Sequence, residues 1–333
     1  MSRNNRQKFN KLCVAIVIVL TNLSGCVLLP SKTVTKSDFV LNTVATITLY
    51  DSGDEALIDE CFALCSHYEA LFSRTDENSE IYKLNSREIS EVSDETAYLI
   101  SQGLYYSKLS DGAFDITIEP LSSLWNFTAD SPSVPGAEAI AEAQKHVDYT
   151  AVSVSGNTVS FSNDYTRLDL GAIAKGYIAD KVKELLVSRG ITSAIINLGG
   201  NVMCIGGKTD DTGFKIGIQY PFGEGSIASV TVSNLSVVTS GTYERYFREN
   251  GVLYHHILNP KTGYPYDNGL LSVSIIGENS GTCDALSTSC FALGKEAGMS
   301  LIESLDGYYA IFITDDYQLY FTKGAEEALD ISY

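Results

Sequence analysis

The sequence predicts an α+β protein, built as one compact unit of mixed sheets and flanking helices, with a two-lobed form left open. Its 333 residues fit one large or two ordinary domains, and 44% of them are hydrophobic, as in a globular protein with a core. Helical and strand-like patterns both occur along the chain, without internal repeats. Because no low-complexity linker separates these patterns, we expect a single unit.

In the first half of the chain, residues 39–50 alternate in hydrophobicity and predict a strand. Residues 54–72 follow with an apolar stripe at helical spacing, and residues 93–109 and 137–145 predict two further helices. Two short strands around Val152 and Val159 flank Gly156-Asn157, a dipeptide typical of a hairpin turn.

In the second half, a strand at 167–170, a helix at 173–188 and a strand at 193–197 predict a strand-helix-strand unit. Strand patterns dominate residues 214–238. A helix at 282–293 precedes another that ends near residue 305, and strands at 308–314 and 318–322 turn at Asp315-Asp316.

The N-terminus has the features of an export signal. Four basic residues precede an apolar run at 12–20 that is too short to span a bilayer as a helix. The next segment, Leu23-Ser24-Gly25-Cys26, resembles a bacterial lipobox, which implies cleavage before Cys26 and lipid attachment to it. The alternative is an ordinary secretory signal with an incidental cysteine. We therefore expect a signal peptide at 1–25, a tether at 26–37, a main domain at 38–333, and a lipid-anchored protein on the outer side of a bacterial cell membrane.

Cleavage at that site would leave 19 Lys+Arg against 41 Asp+Glu, a formal charge of −22, because residues 1–25 carry four basic and no acidic residues. Such a charge argues against nucleic acid or an anionic membrane surface as a general partner. An anionic small ligand would need local positive charge, which a bound cation could supply.

Five cysteines follow Cys26, and their odd number and helical spacing predict buried free thiols rather than a disulfide framework. No Cys-x-x-Cys motif is present. The five are Cys61, Cys65, Cys204, Cys283 and Cys290.

Two segments could bind an anion or a cation. At 169–176 a predicted strand passes through glycine into a helix, whose first N–H groups and Lys175 favour a phosphate, although such junctions are common as plain helix caps. Asp284 and Thr288 lie four residues apart in a predicted helix, so their oxygens could meet one hard cation such as Mg²⁺. Their spacing alone also fits an acidic residue in the first turn of a helix with a packed threonine behind it.

Two further segments carry polar or aromatic side chains. His255 and His256 should point to opposite faces of a strand at 253–258, so at most one would enter a cleft, and no third residue at zinc-ligand spacing accompanies them. Residues 112–115, with Trp125 downstream, could form a loop that grips an aromatic ligand or a turn over core aromatics.

Several ordered motifs together resemble the ApbE family, the FAD:protein FMN transferases. The resemblance covers residues 39–305. Its segments are Ser79-Glu80-Ile81 with Asn85, Gly112-Ala113-Phe114-Asp115, Asp169-Leu170-Gly171-Ala172-Ile173-Ala174-Lys175-Gly176, Asn197-Leu198-Gly199-Gly200, Ser240-Gly241-Thr242-Tyr243-Glu244-Arg245-Tyr246, the stretch 254–265 and Asp284-Ala285-Leu286-Ser287-Thr288.

The resemblance implies a T-fold-related α+β unit that binds FAD with Mg²⁺, transfers FMN to a Thr or Ser hydroxyl of an acceptor protein, and releases AMP. The acceptor would be an extracytoplasmic redox protein. By the resemblance, the metal ligands are Asp284, Thr288 and the Ala172 carbonyl; the FAD contacts are Leu41, Ala113, Phe114, Asp115, Asp169, Lys175 and His256; and the catalytic residues are Asp284 and His256. We take His256 as the hypothetical base for the acceptor hydroxyl.

Two departures from the family pattern affect the side chains expected to contact the flavin. Leu41-Asn42-Thr43 stands where many members have Met-Gly-Thr, and Thr75 stands where many have an aromatic residue. We therefore expect another aromatic side chain to stack on the flavin. Three other functions remain open from the sequence: an FAD pyrophosphatase that gives FMN and AMP, a non-enzymatic flavin-binding lipoprotein, and a structural lipoprotein.

Overall fold

The computed structural model describes residues 33–208, 210 and 212–333, so the predicted signal peptide and Cys26 lie outside the described residues. The strands are β1 Val34–Val40, β2 Thr43–Leu49, β3 Val152–Ser155, β4 Thr158–Phe161, β5 Ala194–Leu198, β6 Asn201–Ile205, β7 Phe214–Gln219, β8 Ser226–Val232, β9 Ser236–Gly241, β10 Tyr246–Glu249, β11 Val252–His255, β12 Leu270–Gly277, β13 Tyr309–Thr314 and β14 Leu319–Phe321. The helices are α1 Glu55–Phe72, α2 Glu80–Asn85, α3 Asp94–Leu109, α4 Glu119–Trp125, α5 Ala137–Gln144, α6 Gly171–Ser188, α7 Ser280–Leu293, α8 Lys295–Glu303 and α9 Ala325–Leu329.

Eight strands form one antiparallel sheet in the order β1-β2-β5-β6-β9-β12-β13-β14. Both faces of the sheet are buried around β12. Ile275 in β12 joins the main core with α1, α3, α6 and α7, whereas the next residue, Ile276, joins a second core under β7, β8 and α9. Residues 33–333 are thus one compact unit of mixed sheets and helices, which confirms the predicted fold class.

The first predicted strand is in fact a hairpin. β1 and β2 pair antiparallel, and Leu41 and Asn42 form the two-residue turn with φ of +56° and +54°, as in a type I′ turn. Asparagine tolerates this conformation, but leucine rarely adopts it, which is why alternation alone predicted one continuous strand. The turn is held by the Leu41 N–H, which donates to Glu69 Oε2 of α1 at 3.2 Å. β1 also begins at Val34, inside the predicted tether.

The predicted strand at 167–170 is wrong. Only Arg167 forms a β-bridge, an isolated parallel one with Ile118, and the segment then leads directly into α6 at Gly171. The strand-helix-strand unit is therefore absent from the described residues at this position. The β3–β4 hairpin and the long helices α1, α3, α6 and α7 confirm the patterns that predicted them.

The sequence patterns missed several elements. β12 lies between two cores, so it shows a continuous apolar run rather than alternation, and α2, α4 and α9 are too short for helical periodicity. The five cysteines beyond Cys26 are buried and free, as predicted. Within residues 33–333, no described helix has the length and apolar character needed to span a membrane.

Candidate active site

A single open cleft of about 910 Å³ is lined by ten residues that the sequence predicted for a site. They come from the β1–β2 turn, the loop after α3, the start of α6, the end of β11, and α7. They are Leu41, Ala113, Phe114, Asp115, Asp169, Ala172, Lys175, His256, Asp284 and Thr288. The eleventh predicted residue, Cys26, lies outside the described residues. A separate cavity beside Tyr106 and Asp180 holds only about 30 Å³, which is too small for a cofactor.

The centre of the cleft is the crossing of α6 and α7. Gly176 faces α7 so closely that a Cβ there would lie 2.2 Å from the Ser280 carbonyl oxygen and 2.7 Å from the Asp284 Cβ. The missing side chain lets the Gly176 N–H donate to Asp284 Oδ2 at 2.9 Å. One helical turn of α6 therefore orients the buried Asp284 carboxylate, while Lys175 Nζ lies 4.0 Å from its other oxygen.

The oxygens around Asp284 suit a hard divalent cation. The Ala172 carbonyl lies four residues before Gly176 in α6, so it points along the helix toward the same N–H that contacts Asp284. Thr288, one turn after Asp284 in α7, is half-buried and lines the same cleft. A carboxylate, a hydroxyl and a carbonyl form an oxygen set of the kind that Mg²⁺ binds, with water and substrate phosphate filling the remaining positions. In the described part of the chain, no cluster of three or more His, Cys, Asp or Glu side chains offers a metal site built from those residues alone.

Asp169, predicted as an FAD contact, lies just before the helix start whose N–H groups the sequence predicted to favour a phosphate. Its Oδ1 accepts from the Gly171 N–H at 2.9 Å, so the carboxylate itself takes one of the first N–H groups of α6. Its Oδ2 accepts from Ser122 Oγ at 2.8 Å and lies 3.0 Å from Arg74 Nε. The expectation of free N–H groups for an anion at this junction is thus wrong at Gly171. Asp169 is instead a fixed carboxylate at the cleft wall.

The loop at residues 113–115 is a turn over core aromatics that also borders the cleft. The Phe114 ring is buried and packs edge-on against Tyr106, with 6.5 Å between ring centroids. Asp115 Oδ1 accepts from the N–H and hydroxyl of Thr117 at 2.7 and 2.6 Å. Burial raises the pKa of Asp115, and these hydrogen bonds to Thr117 oppose the rise. Asp115 Oδ2 also accepts from the Tyr149 N–H at 3.2 Å, so this side chain holds the loop together and joins it to the segment at Tyr149.

The two histidines face opposite ways, as predicted, although β11 ends at His255 and the strand does not extend to residue 258. His255 is buried, its Nε2 lies 2.9 Å from the Tyr266 carbonyl oxygen, and its ring packs edge-on against Phe291. His256 lines the cleft, half-buried, and its Nδ1 is enclosed without a hydrogen-bond partner among the described residues. Burial, together with the positive charge of Arg245, lowers the pKa of His256 to about 3. Its imidazole is therefore neutral near pH 7.

Thr75 lines the cleft, where many family members carry an aromatic ring, and other aromatic side chains border the same space. Phe127 is half-buried and stacks on Trp125 with ring centroids 5.5 Å apart and an interplanar angle of 5°. Phe39, in β1, is 67% exposed. Together with Tyr266, which is half-buried at the same cleft, they are the Phe and Tyr rings of the described cleft that remain accessible, because Phe72 and Phe114 are buried.

Several cleft residues were missed as individual site candidates. Three of them, Ser240, Glu244 and Arg245, belong to the motif at 240–246. That motif supported the family resemblance, but none of its residues was assigned an individual role. Arg74 immediately precedes Thr75, in the segment that departs from the family pattern. No motif pointed to Arg74, and its place at the cleft is evident only from its contact with Asp169. Arg74, Lys175 and Arg245 bring positive charge to the cleft of an acidic protein.

Comparison with known proteins defines the class. The family model described as the ApbE family matches residues 41–312, and the chain belongs to that family. Among its relatives, an FAD:protein FMN transferase of Klebsiella pneumoniae (strain 342) is 38% identical over 84% of this chain and 88% of its own length. One from Treponema pallidum (strain Nichols) is 35% identical over 84% of each chain.

Solved structures agree with that membership. The ApbE protein of Thermotoga maritima MSB8 superimposes with a TM-score of 0.82 at 32% identity, covering 89% of this chain and 99% of that one. The flavin transferase ApbE of Vibrio cholerae gives a TM-score of 0.79 at 28% identity, covering 90% and 99%.

Proposed function

We propose that this protein is an FAD:protein FMN transferase, which uses Mg²⁺ to transfer FMN from FAD to a Thr or Ser hydroxyl of an acceptor protein and releases AMP. The observation that carries the proposal is the convergence of ten predicted site residues, from five separate segments, on one cleft. The cleft's volume, about 910 Å³, is at the upper end of the range for small-molecule sites, as a dinucleotide requires.

The chemistry follows from the charges in the cleft. Attack on the pyrophosphate of FAD increases negative charge on the transferring and leaving oxygens. Mg²⁺ held by Asp284, Thr288 and the Ala172 carbonyl would neutralise that charge and align the phosphates. Lys175, next to Asp284, and Arg245, across from His256, supply further positive charge in the same space.

His256 would act as the base for the acceptor hydroxyl; its place in the cleft and its neutral imidazole support this role. A neutral imidazole can accept the proton that the hydroxyl loses, a role worth about 10² to 10⁴ in rate. The basicity of His256 is low in the free protein because of burial and the nearby cations. A bound pyrophosphate brings negative charge against Arg245 and Lys175, and should raise the pKa of His256 toward the working pH.

The protein would act outside the cytoplasmic membrane, held to it by lipid on Cys26. The support is the order of basic start, short apolar run and Leu23-Ser24-Gly25-Cys26. In that location the acceptor would be an extracytoplasmic protein with a Thr or Ser flavinylation site, which we take to be a redox protein.

The test is to incubate the mature chain with FAD, Mg²⁺ and a purified acceptor domain carrying the Thr or Ser. The expected result is covalent flavin on the acceptor, detected by in-gel fluorescence and by the mass of FMN on one hydroxyl residue, with one AMP per flavin. An acceptor with that residue changed to Ala is the matched control.

Free FMN and AMP without labelled acceptor would identify a pyrophosphatase, in which water replaces the hydroxyl. Unchanged FAD that nonetheless binds would identify a flavin-binding lipoprotein. Either outcome would overturn the transferase proposal.

A further inference from the structure

A chain of three hydroxyl groups lies next to the candidate metal site. Ser240 Oγ, at the cleft wall in β9, lies 2.9 Å from Thr288 Oγ1 and 2.7 Å from Ser287 Oγ. Ser287 is fully buried in α7, and its Oγ lies 2.8 Å from the backbone carbonyl oxygen of Asp284. The three side chains thus connect the cleft to the backbone of the proposed metal-binding helix.

The direction of each hydrogen bond follows from counting protons. A carbonyl oxygen only accepts, so Ser287 donates its single hydroxyl proton to Asp284. Ser287 then has no proton for Ser240, and Ser240 must donate to Ser287. Ser240 in turn has no proton for Thr288, so Thr288 must donate to Ser240.

The consequence concerns the lone pairs of Thr288. A hydroxyl group that ligates a cation must present a lone pair to it and direct its proton elsewhere. This series of hydrogen bonds directs the Thr288 hydroxyl proton toward Ser240 Oγ. The lone pairs of the Thr288 oxygen therefore remain available to a cation in the cleft. An unconstrained hydroxyl would rotate, and in some rotamers would direct its proton toward the cation.

We propose that Ser240 and Ser287 are positioning residues that set the hydroxyl orientation of Thr288 for the metal ion. The inference rests on the metal site of the proposed function and adds two residues to it. Ser287 neither lines the cleft nor reaches its contents, so its effect would pass entirely through Ser240. Hydrogen-bonding partners of metal ligands contribute about 10- to 100-fold to metal affinity.

The test measures metal affinity without turnover. Mn²⁺, as a spectroscopic substitute for Mg²⁺, is titrated into the mature chain, and free Mn²⁺ is followed by electron paramagnetic resonance. We expect Ser240→Ala and Ser287→Ala each to weaken Mn²⁺ binding about 10-fold or more. Ser240→Thr, which keeps the hydroxyl, should restore binding close to that of the unsubstituted protein.

The control is Ser289→Ala. Ser289 is fully buried in the same helix, and its Oγ donates to the Ala285 carbonyl at 2.7 Å, so it resembles Ser287 without belonging to the chain. Its loss should leave Mn²⁺ affinity unchanged. Thermal unfolding of every variant separates loss of metal from loss of fold.

Two outcomes overturn the inference in different ways. If Ser240→Ala weakens binding but Ser287→Ala does not, Ser240 acts directly on the ion and the hydroxyl chain has no role. If even Asp284→Asn leaves Mn²⁺ affinity unchanged, the metal site of the proposed function is itself wrong. The positioning role is established only when substitutions of Asp284, Ser240 and Ser287 all weaken Mn²⁺ binding and the substitution of Ser289 does not.

Discussion

At the scale of single residues, the Asp284 carboxylate has two roles. It is the acidic ligand of the proposed metal site, and it accepts the Gly176 N–H that joins α7 to α6. Removing the whole side chain would affect metal binding and stability together, because a buried N–H left without its acceptor lowers the free energy of unfolding by about 1–3 kcal/mol. A substitution that keeps the acceptor and removes the charge separates them.

We therefore predict that Asp284→Asn abolishes Mg²⁺-dependent turnover and Mn²⁺ binding while the free energy of unfolding changes little. The amide oxygen can still accept from Gly176, but the proposed site loses its only negatively charged ligand. Turnover at several Mg²⁺ concentrations and denaturant unfolding check this. Normal activity with ordinary metal dependence would remove the metal assignment.

The two histidines should behave differently. We predict that His256→Ala lowers the transfer rate about 10² to 10⁴-fold at neutral pH but leaves FAD affinity nearly intact, because a base acts on the nucleophile. His255→Ala should instead cost about 1–3 kcal/mol of stability, since its buried ring contacts Tyr266 and Phe291. Rate, FAD affinity and unfolding are measured for both. Equal, small losses of rate would leave His256 without a catalytic role, and a collapse of FAD affinity would make it a binding residue.

The low pKa of His256 also predicts a pH effect on stability. Between about pH 6.5 and pH 3 the unfolded chain binds a proton at this position and the folded chain does not, so stability falls as the pH falls through that window. His256→Asn should therefore gain stability relative to the unsubstituted protein on acidification, by less than about 1.4 kcal/mol per pH unit because the ring is only half-buried. Denaturant unfolding from pH 7 to pH 4.5 measures the difference. Exposed His67→Asn is the control, and a parallel gain there would contradict the assignment.

At the scale of elements, the contact between α6 and α7 determines whether the site forms. α6 brings Ala172 and Lys175, and α7 brings Asp284 and Thr288. The helices can approach because Gly176 has no side chain, and the atom that a Cβ would meet is a backbone carbonyl oxygen that cannot rotate away.

We predict that Gly176→Ala destabilises the protein by about 1–3 kcal/mol through overpacking, partly offset by alanine's better helix propensity of about 1 kcal/mol. Mn²⁺ affinity should fall as well, because the helices must separate at Asp284. Gly136→Ala is the control, since a Cβ there meets nothing within 4 Å and its φ is an ordinary −60°. A Gly176→Ala protein with normal stability and Mn²⁺ affinity would show that α6 and α7 can accommodate the added methyl group without loss of stability or of the site.

At the scale of the whole molecule, the acidic chain would bind an anionic dinucleotide in a cleft lined by three cationic and five acidic side chains. The chain carries a formal charge of −18, yet Arg74, Lys175 and Arg245 line the cleft. An anionic dinucleotide is repelled at long range, and screening by salt reduces that repulsion over a Debye length of about 8 Å at physiological ionic strength. Binding would therefore depend on the local positive charges and on the cation proposed at Asp284.

The same acidity disfavours electrostatic adhesion to an anionic membrane, so the proposed membrane association would depend on the proposed lipid at Cys26. We predict that Cys26→Ala moves the protein out of the membrane fraction, because lipid attachment requires that thiol. Fractionation with detergent-free washing, with the mass of the N-terminus, checks it. A variant that stays on the membrane with residues 1–25 uncut would mean that the apolar run is itself the anchor.

Local patterns in the sequence were enough to predict the long helices α1, α3, α6 and α7, the β3–β4 hairpin and the free, buried cysteines. These features depend on spacing within about twenty residues, which periodicity records. The β1–β2 turn and β12 were not predictable in this way, because a leucine at positive φ and a strand buried on both faces lack the usual signals.

The sequence by itself determined which residues line the cleft: ordered motifs named Asp284, Thr288, Asp169, Lys175 and His256 before any of them was placed in space. Only the tertiary structure decided how these side chains are held. Gly176 and Asp284 are 108 residues apart, and Arg74 and Asp169 are 95 apart, yet each pair is in direct contact. The close approach of the two helices and the contacts of Asp169 with Ser122 and Arg74 arise from packing between distant segments, which local periodicity does not record.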